Sequence, residues 1–185
     1  HVLGLYANIA ISWMMAVVAD LVINKPLGLS PKGIEFRRAH LCDINPVGVG
    51  AMAIASALSV GTFVGLFGDV LQPYAPFVAL VAAFVVSPLI AWATGGRYYL
   101  VRPKEIPTVN RKKCSICERE YEGEDMAYCP AYQGAICSLC CSLDARCHDL
   151  CKPAGHLGAQ WNAVLRRILP KAALPYLDTG LGHYL

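Results

Sequence analysis

Eight of the nine cysteines of this chain fall between Cys114 and Cys151, and thiols packed so densely require a chemical reason. Cys114 and Cys117 are separated by two residues, as are Cys137 and Cys140. That spacer lets both sulfurs of a pair grip one metal ion from a single tight turn, and two such pairs complete the tetrahedral thiolate set of a structural zinc site. The other four, Cys129, Cys141, Cys147 and Cys151, make a candidate second site, the step from Cys147 to Cys151 suiting one helical face. His148 is an alternative ligand there, with Cys141 then a buried spectator.

Other chemistries compete for the same thiols. Bacterial iron–sulfur ferredoxins need three cysteines each two residues apart, and here Cys137 and Cys140 are followed by Leu143. A disulfide framework needs an oxidising compartment, and a redox sensor needs labile thiolates. The side of the membrane on which the segment lies therefore decides its chemistry. A closed four-thiolate zinc site leaves no coordination position for water, so no catalysis is expected of this segment. Cys42, alone among basic residues, reads as an ordinary small side chain.

The segments before the cysteines read as membrane. Within the 185 residues no charged side chain occurs between Asp43 and Asp69, or between Asp69 and Arg97. Apolar runs of about 18 residues or more with few charges are candidate membrane spans. Three are predicted: Val2 to Ile23, Pro46 to Phe67 with its proline in the first helical turn, and Tyr74 to Ala93, bent near Ser87-Pro88. Ala53, Ala57, Gly61 and Gly65 recur every fourth residue and predict a face for close helix approach. Asp20, near the end of the first span and close to Lys25, is expected at the membrane interface. The first segment lacks the basic start and cleavage site of a signal peptide.

Loop composition orients the spans. Asn24 to Asn45 carries Lys25, Lys32, Arg37, Arg38 and His40 against Glu35 and Asp43, whereas Gly68 to Pro73 has no Lys or Arg. Basic loops stay in the cytoplasm, and Tyr98, Tyr99, Arg102 and Lys104 mark another inner interface. Arg111-Lys112-Lys113 then leads into Cys114, which places the cysteines in the cytosol, where thiols stay reduced. Metal is favoured over disulfides on that ground. The net charge of +3 describes no single surface and carries no nucleic-acid signal.

The predicted organisation is thus a transmembrane helix over 1–23, a cytosolic basic loop over 24–45, a transmembrane hairpin over 46–96 and a juxtamembrane linker over 97–113. A metal-binding domain follows over 114–151, then an amphipathic helix and the start of a further segment over 152–185. That helix, Leu157 to Leu169, spaces Trp161, Val164, Leu165, Ile168 and Leu169 helically with Arg166 and Arg167 on its polar side. It suits either a membrane surface or packing on the metal domain. Leu181 to Leu185 could begin another helix. The start at His1 inside an apolar run leads us to expect an internal piece of a longer protein.

At Phe36-Arg-Arg-Ala-His-Leu-Cys-Asp43-Ile-Asn-Pro-Val-Gly-Val-Gly-Ala51 the chain resembles the nucleobase:cation symporter family, the purine-cytosine permease-like transporters. Val18 to Lys25 is similar to the end of that family's tenth helix, with Leu21 and Asn24 in place of its aromatic and basic residues. The resemblance covers residues 1–104 and implies the last three helices of a twelve-helix inverted-repeat transporter, mostly α in class, with the missing N-terminal helices as partners. Substrate and sodium ligands of such folds lie on earlier broken helices, so no substrate-binding residue is assigned here. Tyr128 to Cys141 resembles a segment of bacterial proteins that join a permease-like module to a signalling domain such as a histidine kinase. The two-metal cysteine pattern is itself similar to RING and FYVE fingers. Together these imply a multi-pass inner-membrane transporter or transporter-derived sensor for a nitrogenous compound, with two zinc ions, a cytoplasmic cysteine segment, and no catalytic residue in this part. The rival reading is a membrane-anchored zinc-finger interaction module without a transport role.

Overall fold

A computed structural model describes residues 2–102, 110–143 and 146–169. The chain is mostly helical and divides into two compact units. The first comprises 1–36 and 45–103, the second 37–44 and 104–185.

Three helices build the first unit: α1 (Val2–Ala19), α2 (Pro46–Phe63) and α3 (Ala75–Thr94). With its flanking turns each is long and apolar enough to cross a membrane. A π-helical turn, Asp20–Asn24, extends α1, the Lys25 N–H reaching the Asp20 carbonyl at 3.0 Å. Asn45 caps α2 by accepting a bond from the Val47 N–H at 3.0 Å, with Pro46 in the first turn as predicted. α2 stops at Phe63 rather than Phe67, because Gly65 takes a left-handed φ of +87° that the helix cannot continue through. α3 runs through Pro88 as one element.

The packing face of α2 is not the one that the Ala53, Ala57, Gly61, Gly65 repeat predicts. Ala53 and Ala57 are exposed and of that repeat Gly61 alone is buried, while Val47, Ala51, Ala55 and Ser59 are all buried. Both sets recur every fourth residue, so periodicity does not choose between them. Ser59 does: its hydroxyl donates to the Ala75 carbonyl at 2.8 Å, and an apolar surrounding penalises a hydroxyl without such a partner. α3 answers with Ala75, Ala79, Ala83, Ser87 and Ala91, all buried and also four apart, which brings the backbones close. α1 contributes buried Asn8, Ser12 and Ala16.

Asp20 is not paired with Lys25. Its carboxylate accepts bonds from the Tyr99 hydroxyl and from the Asn24 amide, the latter at 3.1 Å, and the same amide donates to Ser87 at 3.1 Å. Lys25 turns instead to the Pro31 and Gly33 carbonyls.

The second unit begins with an antiparallel pair, β1 (Lys112–Lys113) and β2 (Glu120–Tyr121), in register Lys112 with Tyr121. A hairpin follows, β3 (Met126–Cys129) with β4 (Gly134–Cys137), pairing Met126 with Cys137 and Cys129 with Gly134. The chain then enters α4 (Ser138–Leu143) and, after the Cys147–Cys151 turn, α5 (Leu157–Ile168). Residues 37–44, which lie between α1 and α2 in sequence, are built into this unit. Ala39 sits in its core beside Cys114, Met126, Ala127, Cys129, Ile136, Cys137, Cys141 and Cys147. The further segment expected at Leu181 to Leu185 lies outside the described residues.

The stripe makes a direct prediction. Ala55→Leu forces a large side chain into a closed helix contact and is expected to lower stability by about 1–3 kcal/mol, whereas Ala53→Leu on the exposed face leaves it near the original value. Unfolding of both variants in detergent or nanodiscs checks this.

Candidate metal centre

The local backbone explains why the first cysteine pair forms a knuckle. The Cys114 N–H bonds the Arg119 carbonyl at 2.9 Å, and the Glu118 N–H returns to the Cys114 carbonyl at 3.0 Å through a left-handed Glu118 at φ 59°. Ser115 docks this turn on β4, its N–H reaching the Ala135 carbonyl at 2.9 Å. Gly134 makes room for it, since a Cβ there would collide with the Ser115 hydroxyl. The second pair comes from the end of β4 and the first turn of α4.

These elements bring Cys114, Cys117, Cys137 and Cys140 together, with all four Sγ atoms within 4.8 Å of one another. A tetrahedral zinc with Zn–S bonds of about 2.3 Å separates its sulfurs by roughly 3.8 Å, so the set needs only a small adjustment to close on an ion. Cys114 and Cys137 are buried and their partners half-buried. Backbone N–H groups point at the sulfurs: Ile116 and Cys137 at Cys114 Sγ (3.5 and 3.4 Å), and Cys140 at Cys137 Sγ (3.4 Å). Such bonds favour thiolates. Desolvation pushes the Cys114 thiol up, but bonds from the Cys117, Cys137 and Ile116 backbone more than offset it and bring it down to about 6. Cys140 is pushed up to about 12, first by desolvation and then by sharing the site with Cys137, Cys117 and Cys114. Tyr121, whose hydroxyl lies 3.8 Å from Cys117 Sγ, is held at about 12 chiefly by that contact. Four crowded thiols resist full ionisation by themselves, and a bound dication would supply the missing balance. A donor set of four sulfurs suits zinc or an iron–sulfur centre rather than a hard cation.

The other cysteines occupy the same core. Cys129, Cys141 and Cys147 are buried and Cys151 packs against them. Burial pushes the Cys141 thiol up; the Ala39 N–H bond opposes this, while Cys151, Cys147 and Cys129 add to it. No second group of three or more ligand atoms within 4.8 Å occurs among the described residues. His148 is exposed and lines a surface hollow with Arg38, Asp43, Asp149 and His156, while its neighbour Cys147 points inward. Cys42 is half-buried, and desolvation is the main cause holding its thiol above the usual range. All nine cysteines are free of disulfides.

Sequence reasoning passed over the ion-pair cluster beside the core. Lys152 is fully buried, and its ammonium donates to Asp43 Oδ1 and to the Leu41 carbonyl at 3.3 Å. Arg38 binds Asp149 at 2.8 Å, and Arg37 reaches the Met126 carbonyl at 3.2 Å. Asp43 also accepts from the Leu157 N–H at 2.9 Å. No local pattern announces contacts between residues 109 positions apart, and the charges of the 37–44 loop are already accounted for as a mark of the cytoplasmic side.

No protein-family model, curated protein or solved structure matches the chain.

Desolvation raises the Asp43 carboxyl, but the Lys152 bond, the Leu157 N–H and Arg38 together hold it below its ordinary 3.8. Because the folded value is depressed, the stabilisation from this group is present above that ordinary value and lost as pH falls through the folded one. Lys152→Met removes the charge-assisted bond and is expected to cost about 1.5–3 kcal/mol. It should also flatten that acid-side loss, as urea unfolding at a series of pH values would record.

Proposed function

We propose that this chain is part of an integral membrane transporter, or a sensor derived from one, that handles a nucleobase-like nitrogenous compound. Its helices carry a structural zinc module on the cytoplasmic side of the inner membrane. The module holds two zinc ions: one on Cys114, Cys117, Cys137 and Cys140, and a second on Cys129, Cys141, Cys147 and Cys151, which share one core but whose sulfurs must draw closer together to grip an ion. With four protein ligands each, both ions are structural, and the module passes changes in the helices to a downstream signalling domain. The family part of this reading rests on the resemblance at Phe36 to Ala51 and Tyr128 to Cys141.

The observation that carries the coupling role is the course of residues 37–44. A passive anchor needs one covalent tether, the linker after α3. Here the segment joining α1 to α2 contributes Ala39 to the cysteine core and Asp43 to the buried lysine, so displacement of either helix pulls on the metal unit directly. The same observation supports placing both segments on one side of the membrane, since α2 and α3 form a two-pass hairpin between them.

The test is metal removal from the intact chain in nanodiscs. Purified protein is expected to hold about two zinc per chain, falling to about one in Cys114→Ser or Cys137→Ser with disordering of the unit, because binding energy is folding energy in small metal domains. Chelation should raise hydrogen exchange in the 37–44 segment together with β3 and β4. Exchange that rises after Lys112 but stays unchanged over 37–44 would favour the anchored interaction module instead.

A further inference from the structure

α5 carries an apolar stripe that no described residue covers. Leu157, Trp161, Val164 and Ile168 fall on one narrow arc of the helix and are 53%, 52%, 45% and 76% exposed. Arg167 and Gln160 border this arc on one side, and Arg166 lies on the far face. The start of the helix is fixed within its own unit. His156 caps its start, accepting from the Ala159 N–H at 3.2 Å, and the Leu157 N–H is held by Asp43. The Gln160 side chain pairs with both backbone groups of Ile44, donating to its carbonyl at 2.8 Å and accepting from its N–H at 3.0 Å.

Ile44 stands two residues before Pro46, the first residue of a helix long and apolar enough to cross a membrane. Two residues reach no more than about 7 Å. The first turn of α5 is therefore tied, through Gln160 and Ile44, close to the point where α2 starts its crossing.

We propose that α5 is an interfacial helix. It seats Leu157, Trp161, Val164 and Ile168 in the headgroup–acyl boundary of the bilayer that α2 enters and sets Arg167 against anionic phospholipid headgroups. The inference rests on reading α1 to α3 as membrane spans. Four apolar side chains on a 12-residue helix would hold a free peptide only weakly, since such binding scales with buried apolar area. The tie at Ile44 makes the contact intramolecular and removes most of the association cost. The composition fits the place: an indole prefers the interface, where its apolar body and polar N–H are both served, and arginine is drawn to anionic lipid. A solvent-facing helix gains nothing from four exposed apolar groups on one arc. A second copy of the chain would need a facing apolar patch next to the membrane entry of α2.

The chain has three tryptophans, Trp13, Trp92 and Trp161. In full-length W13F/W92F, reconstituted in phosphatidylcholine–phosphatidylglycerol nanodiscs, Trp161 is the sole emitter. The expected result is blue-shifted emission, quenched more by shallow than by deep nitroxide-labelled lipids and protected from iodide, with Ile168→Asp weakening the lipid quenching. Water-like emission open to iodide, or blue-shifted emission that no lipid label quenches, as a protein partner would give, overturns the proposal. If the double variant fails to fold, the difference between the unaltered chain and W161F supplies the same signal. W161F also separates the two levels of the reading: lipid quenching of Trp13 and Trp92 without quenching of Trp161 sinks the interfacial helix alone. Absence of lipid quenching at Trp13 and Trp92 sinks the spanning helices with it.

Discussion

The cysteine unit has almost no hydrocarbon with which to hold itself together. Of the nine residues in its buried core five are cysteines, two are alanines, and only Met126 and Ile136 are large aliphatic groups. Full burial of such a side chain contributes about 1.5–3 kcal/mol, far below the ordering entropy of a unit this size. A structural zinc ion contributes about 10–16 kcal/mol in a small domain. Bonding of a metal by these sulfurs would thus be the term large enough to decide whether the unit folds. The rest follows from it: two short strand pairs suffice because their task is to aim Cys114, Cys117, Cys137 and Cys140 at one point.

The ordering of the 37–44 loop depends on that same core. Ala39 gives its N–H to Cys141 and its methyl to the cluster, and Arg37 reaches the β3 backbone. Lys152 then closes the loop from behind. A buried ammonium is tolerated only where its desolvation is met by a carboxylate and carbonyls, and Asp43 and Leu41 supply them. If the core loosened, the backbone that presents Asp43 and Leu41 to the lysine would loosen with it, so metal loading and loop order are expected to rise and fall together.

Much of this was legible in the residues. The three apolar helices follow from run length and missing charge, and the four-cysteine cluster follows from two matching spacers. The Pro46 start and the amphipathic α5 follow from local capping and periodicity. The misjudged parts share one cause, a choice that only a partner settles. Ala53/Ala57 and Ala51/Ala55/Ser59 are equally periodic, and the α3 backbone selects the second. The partner of Asp20 is likewise out of local reach, since Tyr99 lies 79 residues along the chain. Lys152 gives no local sign of its burial because Asp43 lies 109 residues away. The resemblance to permease-like transporters concerns the function of the whole, and the packing of these helices neither requires it nor opposes it.

The central claim is that metal bonded by sulfur alone holds the cysteine unit together. X-ray absorption at the metal edge, on intact protein purified without added metal, tests it most directly. A zinc edge with a single shell of about four sulfurs near 2.3 Å is the predicted result. A shell dominated by nitrogen or oxygen, an iron edge, or a folded unit with no bound metal would contradict it.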